Sequence, residues 1–173
     1  MTETRATTTT SAMTETSAGG DAGRKSPPDR LYPAAPLLAV SVAVFRQERV
    51  LLAARTKPPY AGAFSLPGGL VELGETLSEA ALRELREEVD VEARIIGFNR
   101  HLEAIEHDET AAIRHHYVIA SFIAEWVSGE GSTGPEAGAI IWAAPDEIAG
   151  LVTTPHIPAV VERARSLRAT GRV

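Results

Sequence analysis

The sequence predicts a domain of the α/β (α+β) class, in which helices pack against a mixed β-sheet. Short runs of apolar and β-branched residues alternate with turn signals over residues 37–144. Helical patterns occupy residues 76–89 and 154–168. Because hairpins flank a loop followed by a helix, a mixed sheet covered by helices is the favoured arrangement.

The first half of the predicted domain consists of a hairpin, a loop and a helix. "LLAVSVAVF" and "VLLAAR" are predicted strands, and "RQER" is the turn that joins them into a hairpin. "SLPGGLVELGE" is predicted to be a short strand running into a glycine-rich loop. "TLSEAALRELREEV" has helical periodicity, and Thr76 or a neighbour is expected to begin that helix.

The second half is predicted to complete the sheet and to end in a helix. "EARIIGFNRHLEAIEH", "IRHHYVIASFIAEWV" and "AIIWAA" are predicted strands, and "PDEIAGL" is predicted to be a short helical turn. In the final helix, Thr154 is the expected N-cap and Pro155 is expected in the first turn.

The chain is predicted to contain one folded domain, residues 31–173, behind a low-complexity tail. Residues 1–30 contain no Leu, Ile, Val or aromatic residue. Such a segment cannot bury enough surface to offset its ordering entropy, so we expect it to be disordered. It has no apolar core of the kind found in a secretory signal. The absence of cysteine excludes a thiol nucleophile and a disulfide framework, and fits the cytoplasmic location that we expect.

The overall charge restricts the partners. A net charge of -6 argues against a general nucleic-acid binder, because phosphate backbones reward basic surfaces. The longest apolar stretch, "PAAPLLAVSVAVF", is too short and too interrupted by proline to span a bilayer. We therefore expect neither nucleic acid nor membrane as a partner. A small phosphate-bearing molecule remains compatible with an acidic protein, because bound cations can lie between them.

The helix at residues 76–89 places three glutamates on one face. With Glu84 at zero degrees, Glu87 lies at about 300° and Glu88 at about 40°, at the rim of the predicted buried stripe. Glu84 and Glu88 should repel each other, whereas Arg83 can pair with Glu87 four residues on. Carboxylates at this spacing can converge on Mg²⁺ or Mn²⁺. On the helix alone, however, a solvated surface with salt bridges is the simpler interpretation.

The spacing of the preceding loop favours the metal site. Gly69 is followed by five residues, Glu75, seven residues and then "RELREE". This pattern, up to Val91, resembles the Nudix box of the Nudix hydrolase family, G-x5-E-x7-R-E-U-x-E-E-x-G-U, where U is bulky and aliphatic. Asp90 is the single departure, since it stands where the family usually has glycine. Because aspartate tolerates the left-handed conformation, we expect a cost of about 1 kcal/mol or less and no lost ligand.

The resemblance implies the Nudix fold, an α/β/α arrangement, and the hydrolysis of a diphosphate linkage with Mg²⁺ or Mn²⁺. The substrate class would be a nucleoside diphosphate joined to another group: ADP-ribose, a nucleotide sugar or a (d)NTP. The metal ligands that the resemblance implies are the Gly69 carbonyl and the carboxylates of Glu84, Glu87 and Glu88. A homodimer is left open.

Further residues take supporting or alternative roles by the same resemblance. Glu75 and Arg83 would support the site, with Arg83 orienting the glutamates. The general base would be a box glutamate or Glu136, which is placed like the extra carboxylate of MutT-like members. Arg55, at the end of the second strand, would bind substrate phosphate. The alternative is a non-catalytic Nudix-fold module that senses a nucleotide, although such domains tend to lose box glutamates and this chain retains them.

Overall fold

The fold is described from a computed structural model, which covers residues 29–58, 60–133 and 137–172. Most of the predicted tail, residues 1–28, therefore lies outside the described residues. The strands are β1 Leu37–Arg46, β2 Arg49–Arg55, β3 Phe64–Ser65, β4 Glu92–His107, β5 Ile113–Ser128 and β6 Ala137–Ala143. The helices are α1 Leu77–Val89 and α2 Ile157–Thr170, with a short 3-10 turn at Ile148–Gly150. Neither helix of the described part is long and apolar enough to cross a membrane.

The sheet is mixed, as predicted. Its order is β3-β2-β1-β5-β4, with β6 also paired to β2. β1 and β5 run parallel, and the other strand pairs are antiparallel. β1 pairs with β2 only beside their turn, at Phe45 and Arg46. Further along β1 the glycine-rich loop takes the place of β2, so the loop is held directly against the middle of the sheet.

Three backbone hydrogen bonds attach that loop to β1. The N–H of Val42 donates to the Pro67 carbonyl and the N–H of Val40 to the Gly69 carbonyl, each at 2.9 Å. The N–H of Val71 donates to the Leu38 carbonyl of β1 at 3.1 Å. Because a backbone group left unpaired in the interior is costly, these bonds set the position of the loop closely.

The two helices cover opposite faces of the sheet, which confirms the α/β/α arrangement. Successive β1 side chains alternate between the faces, as the period of a strand requires. One face packs α1 residues such as Leu85 against Val42 and Val44. The other face packs α2 residues such as Val160 against Phe45. β1 is therefore buried on both sides, which explains its nearly continuous apolar sequence.

The predicted start of the last helix was wrong. α2 begins at Ile157, with His156 as the N-cap and Pro158 in the first turn. The N–H of Thr154 instead donates to the Phe64 carbonyl at 2.9 Å, and Thr153 forms a parallel bridge with Phe64. Pairing with β3 therefore holds this segment extended, and the helix starts only after it.

Asp90 ends α1 in the left-handed conformation that the sequence predicted. Its φ is 53° and its ψ is 47°, and its N–H donates to the Arg86 carbonyl at 3.0 Å. A left-handed residue past a helix end is the usual device for capping the last carbonyls. The departure from the box glycine thus leaves the backbone geometry of the helix end intact.

Asp90→Gly is expected to raise the free energy of unfolding by about 0.5–1 kcal/mol, because glycine adopts this conformation without a Cβ clash. Asp90→Ala is the matched control and is expected to lower it, since alanine keeps the Cβ and loses the side-chain oxygen. Urea unfolding at a constant m-value measures both changes. A glycine variant no more stable than the parent would contradict the expectation.

Candidate active site

A capping box sets the start of α1. The Thr76 hydroxyl accepts the Glu79 N–H at 3.2 Å, and the Glu79 carboxylate accepts the Thr76 N–H at 2.8 Å. Such reciprocal bonds satisfy two N–H groups that have no partner inside the helix. Because the first residue is fixed, the direction of every later side chain on α1 is fixed too.

The glycine-rich loop lies directly against two of the box glutamates. The Gly68 N–H donates to Glu88 Oε2 at 2.9 Å. Gly69 leaves no room for a Cβ, which would overlap the carboxylate of Glu84. Both glutamates are partly buried, and the side chain of Glu84 is only 17% exposed. The structure therefore brings Gly69, Glu84 and Glu88 together, as predicted.

Arg83 connects the loop to the glutamates. It forms two hydrogen bonds with Glu75, at 2.7 and 3.1 Å, and one with the Leu70 carbonyl at 3.0 Å. Its Nη1 also donates to Glu84 at 2.9 Å and to Glu87 at 3.1 Å, the second of these being the predicted i, i+4 pair. A guanidinium suits this task because its planar fork carries five donors.

The charges in this network shift one another's titration. Hydrogen bonding to Arg83 holds the pKa of the Glu75 carboxyl below its usual value. The same bonds raise the pKa of the Arg83 guanidinium, with further contributions from Glu84 and Glu87. Glu75 and Arg83 therefore remain ionised around neutral pH, which keeps the ion pair between them intact.

Glu87 differs from the other two box glutamates because its side chain is 62% exposed. Within the described residues, no three Asp, Glu, His or Cys side chains lie close enough together to hold a metal ion. The three glutamates therefore do not converge on one point in this arrangement. Arg83 forms hydrogen bonds with Glu84 and Glu87 instead. Closure around a cation would need Glu87 to turn inward, and its exposure leaves it room to do so.

The donor atoms that do meet fit a hard divalent cation. Glu84 and Glu88 supply carboxylate oxygens. The Gly69 carbonyl accepts one hydrogen bond, from Val40, and keeps a second lone pair. An all-oxygen set suits Mg²⁺, Mn²⁺ or Ca²⁺ and excludes soft thiolate-seeking ions.

Two predicted site residues, Arg55 and Glu136, are not part of the Glu84–Glu88 cluster that the structure describes. Arg55 is the exposed last residue of β2 and pairs in register with Ala137 of β6. Glu136 lies outside the described residues. The roles of Arg55 and Glu136 therefore stay predictions.

One cluster near the end of α1 was not found from the sequence. The Arg46 guanidinium carbon lies 4.2 Å from the ring centre of Trp126 and 5.9 Å from that of Trp142. Arg46 also pairs with Glu130 at 2.7 Å, and the Trp126 indole donates to the Gly129 carbonyl at 2.7 Å. These contacts hold the loop after β5. No local sequence pattern predicts these contacts, because the partners are far apart in the chain.

The fold and the loop–helix geometry are those of a Nudix domain, and comparisons with known proteins agree with this class. A family model describing the NUDIX domain matches residues 35–166. This chain belongs to the NUDIX family, and the resemblance of residues 69–91 to the Nudix box is confirmed.

Individual relatives cover parts of the chain. An ADP-ribose pyrophosphatase of Methanocaldococcus jannaschii is 33% identical over 102 residues, 59% of this chain and 58% of that protein. A putative 8-oxo-dGTP diphosphatase 2 of Mycobacterium tuberculosis is 46% identical over 56 residues, 32% of this chain and 40% of that protein. The chain thus spans less than two thirds of the curated relatives that it matches.

A solved structure supports the fold. The NUDIX domain of Shewanella oneidensis NrtR, complexed with ADP ribose, superposes with a TM-score of 0.64. The match covers 76% of this chain and 88% of that one at 22% sequence identity. At this identity the likeness concerns the fold alone.

Proposed function

We propose that this protein is a Nudix hydrolase that uses water to cleave the diphosphate linkage of a nucleoside diphosphate derivative. The observation that carries the proposal is the contact of Glu84 and Glu88 with the Gly68–Gly69 backbone, which gathers carboxylates beside a loop open to a ligand. ADP-ribose is the first substrate to test, because one relative is named an ADP-ribose pyrophosphatase. Nucleotide sugars and nucleoside triphosphates, including 8-oxo-dGTP, are the other members of the class.

The proposed roles follow from the contacts. Glu84, Glu88 and the Gly69 carbonyl would hold Mg²⁺ or Mn²⁺, and Glu87 would join them. When bound, such a cation neutralises diphosphate charge and lowers the pKa of water. The Gly68 N–H orients Glu88, and Arg83 orients Glu84, so neither carboxylate needs to be ordered during the reaction.

The remaining proposed roles concern the proton and the substrate. Glu136 and the box glutamates are the candidates for general base, because a carboxylate can accept the proton of the attacking water. Arg55 would bind a substrate phosphate, since a guanidinium forms paired hydrogen bonds with phosphate oxygens. Glu136→Gln separates these candidates. If Glu136 is the general base, this variant should lose turnover while its metal binding stays unchanged.

The test is a substrate panel with Mg²⁺, with Mn²⁺ and with a chelator. ADP-ribose, nucleotide sugars, dNTPs and 8-oxo-dGTP are incubated with the full chain, and phosphate-ester products are separated by chromatography. We expect cleavage of at least one substrate that stops with chelator. Tight binding without cleavage across the panel would instead favour the nucleotide-sensing alternative.

Arg83→Lys is expected to lower kcat/KM by about 10- to 100-fold, the usual effect of losing a residue that orients a metal ligand. Lysine cannot keep the two-point contact with Glu75 together with the Leu70 bond. Arg86→Lys is the matched control, because Arg86 is exposed and its only ion pair with another described residue, Glu92, is 3.8 Å long. Equal losses in the two variants would show that Arg83 does not orient the site.

A further inference from the structure

A second cavity lies on a different part of the molecule from the box glutamates. Its volume is about 440 Å³, and it is formed by the middle of β4 and the C-terminal half of α2. Its walls include Phe98, Arg100 and His101 from β4, and Arg163 from α2. No residue of α1 or of the glycine-rich loop contributes, so this cavity is separate from the proposed active site. Its volume is within the range of small-molecule sites.

The walls of this cavity carry positive charge in a protein whose net charge is -6. Arg100, Arg163 and Arg172 all line it, and its lining includes no Asp or Glu among the residues that the structure describes. Over the same described ranges, none of the three arginines forms an ion pair with a carboxylate. Glu162 lies in the adjoining groove, but two hydrogen bonds tie it to Arg165. Among the described residues, the cavity thus has three positive charges that are not paired with a carboxylate.

The guanidinium groups of Arg163 and Arg100 each donate one hydrogen bond to a backbone carbonyl, which leaves their other N–H groups for a ligand. Arg163 Nε donates to the Asn99 carbonyl at 3.0 Å, a bond that positions the guanidinium and uses one of its five N–H groups. The N–H of Arg172 donates to the Leu167 carbonyl at 3.2 Å, past the left-handed Gly171. This helix-ending motif places Arg172 beside the cavity. The helix C-terminus contributes about half a negative charge, well below the three positive ones.

We propose that the cavity between β4 and α2 is a second, metal-independent site for the phosphate group of a small molecule. Arg100, Arg163 and Arg172 bind the phosphate group. The site does not depend on the proposed hydrolysis, because it contains none of the box glutamates.

The test is calorimetric titration of the full chain with AMP in the presence of a chelator. We expect AMP to bind, and to bind more weakly as salt is raised. Arg100→Gln/Arg163→Gln is expected to weaken AMP binding by about tenfold or more, the effect of losing a charge-assisted hydrogen bond. Arg94→Gln is the matched control on the same strand as Arg100, because Arg94 is exposed and lies outside the cavity, and it is expected to leave affinity unchanged.

A further variant keeps the test decisive. Arg172→Gln, near the end of the described chain, serves if the double variant unfolds by circular dichroism, and it should also weaken binding. The proposal is overturned if AMP does not bind without metal, or if Arg94→Gln weakens binding as much as the cavity variants.

Discussion

Glu88→Gln is expected to lower kcat with Mg²⁺ by roughly two to three orders of magnitude, as expected when a metal ligand is lost from a hydrolytic site. Glutamine removes the negative charge that a hard cation requires, but its amide oxygen can still accept the Gly68 N–H. The fold should therefore be retained, and the melting temperature should change little. Initial rates on the best substrate of the panel, with thermal unfolding in parallel, measure both quantities.

Substitutions of two other glutamates serve as comparisons for the activity loss of Glu88→Gln. Glu87→Gln should cause a smaller loss, because Glu87 is largely exposed and joins the donor set only after moving. Glu92→Gln, exposed and outside the box, should have no effect on turnover. If Glu88→Gln retained full activity, or lost no more than Glu92→Gln, the assignment of Glu88 as a metal ligand would be wrong.

Gly68→Ala is expected to lower the free energy of unfolding by about 2–3 kcal/mol. A Cβ at this position would overlap the Val40 carbonyl oxygen and lie 2.8 Å from Ser41 Cα. Both atoms belong to the backbone of β1, which is buried between the two helices and cannot move aside. The loop would shift instead, and the N–H that holds Glu88 would shift with it, so activity should fall too.

Gly69→Ala separates stability from activity. Here the three atoms nearest to an added Cβ all belong to the Glu84 carboxylate, the end of a flexible side chain, so the fold should survive while turnover falls. Gly150→Ala is the neutral control, because no atom lies within 4 Å of its Cβ position. Urea unfolding and initial rates compare the three variants. A Gly68 variant as stable as the Gly150 variant would contradict the backbone clash.

Much of the fold could be read from local patterns. β4 occupies the predicted residues, and α1 begins after Thr76, because strand and helix periods and capping chemistry act over a few residues. The start of α2 could not be read in this way. Thr154 and Pro155 have the chemistry of a helix start, but pairing of that segment with Phe64 overrides it.

The cavity arginines illustrate the same limit. Arg100 lies on β4 and Arg163 on α2, and nothing in either local sequence relates them. They meet because α2 crosses the face of the sheet beside its edge strand, a contact between elements distant in the chain. The Arg46 cluster has the same origin, since β1, β5 and β6 each contribute one of its side chains.

For the candidate active site, the sequence by itself determined which side chains exist and which way α1 presents them. The spacing from Gly69 to Glu88 and the turn of a helix suffice for that. Helical spacing also predicted the pair of Arg83 with Glu87. Only the tertiary structure decided the other contacts: the Gly68 N–H for Glu88, and Arg83 for Glu84. The physical reason is that the loop is positioned by its hydrogen bonds to β1, which local sequence does not encode.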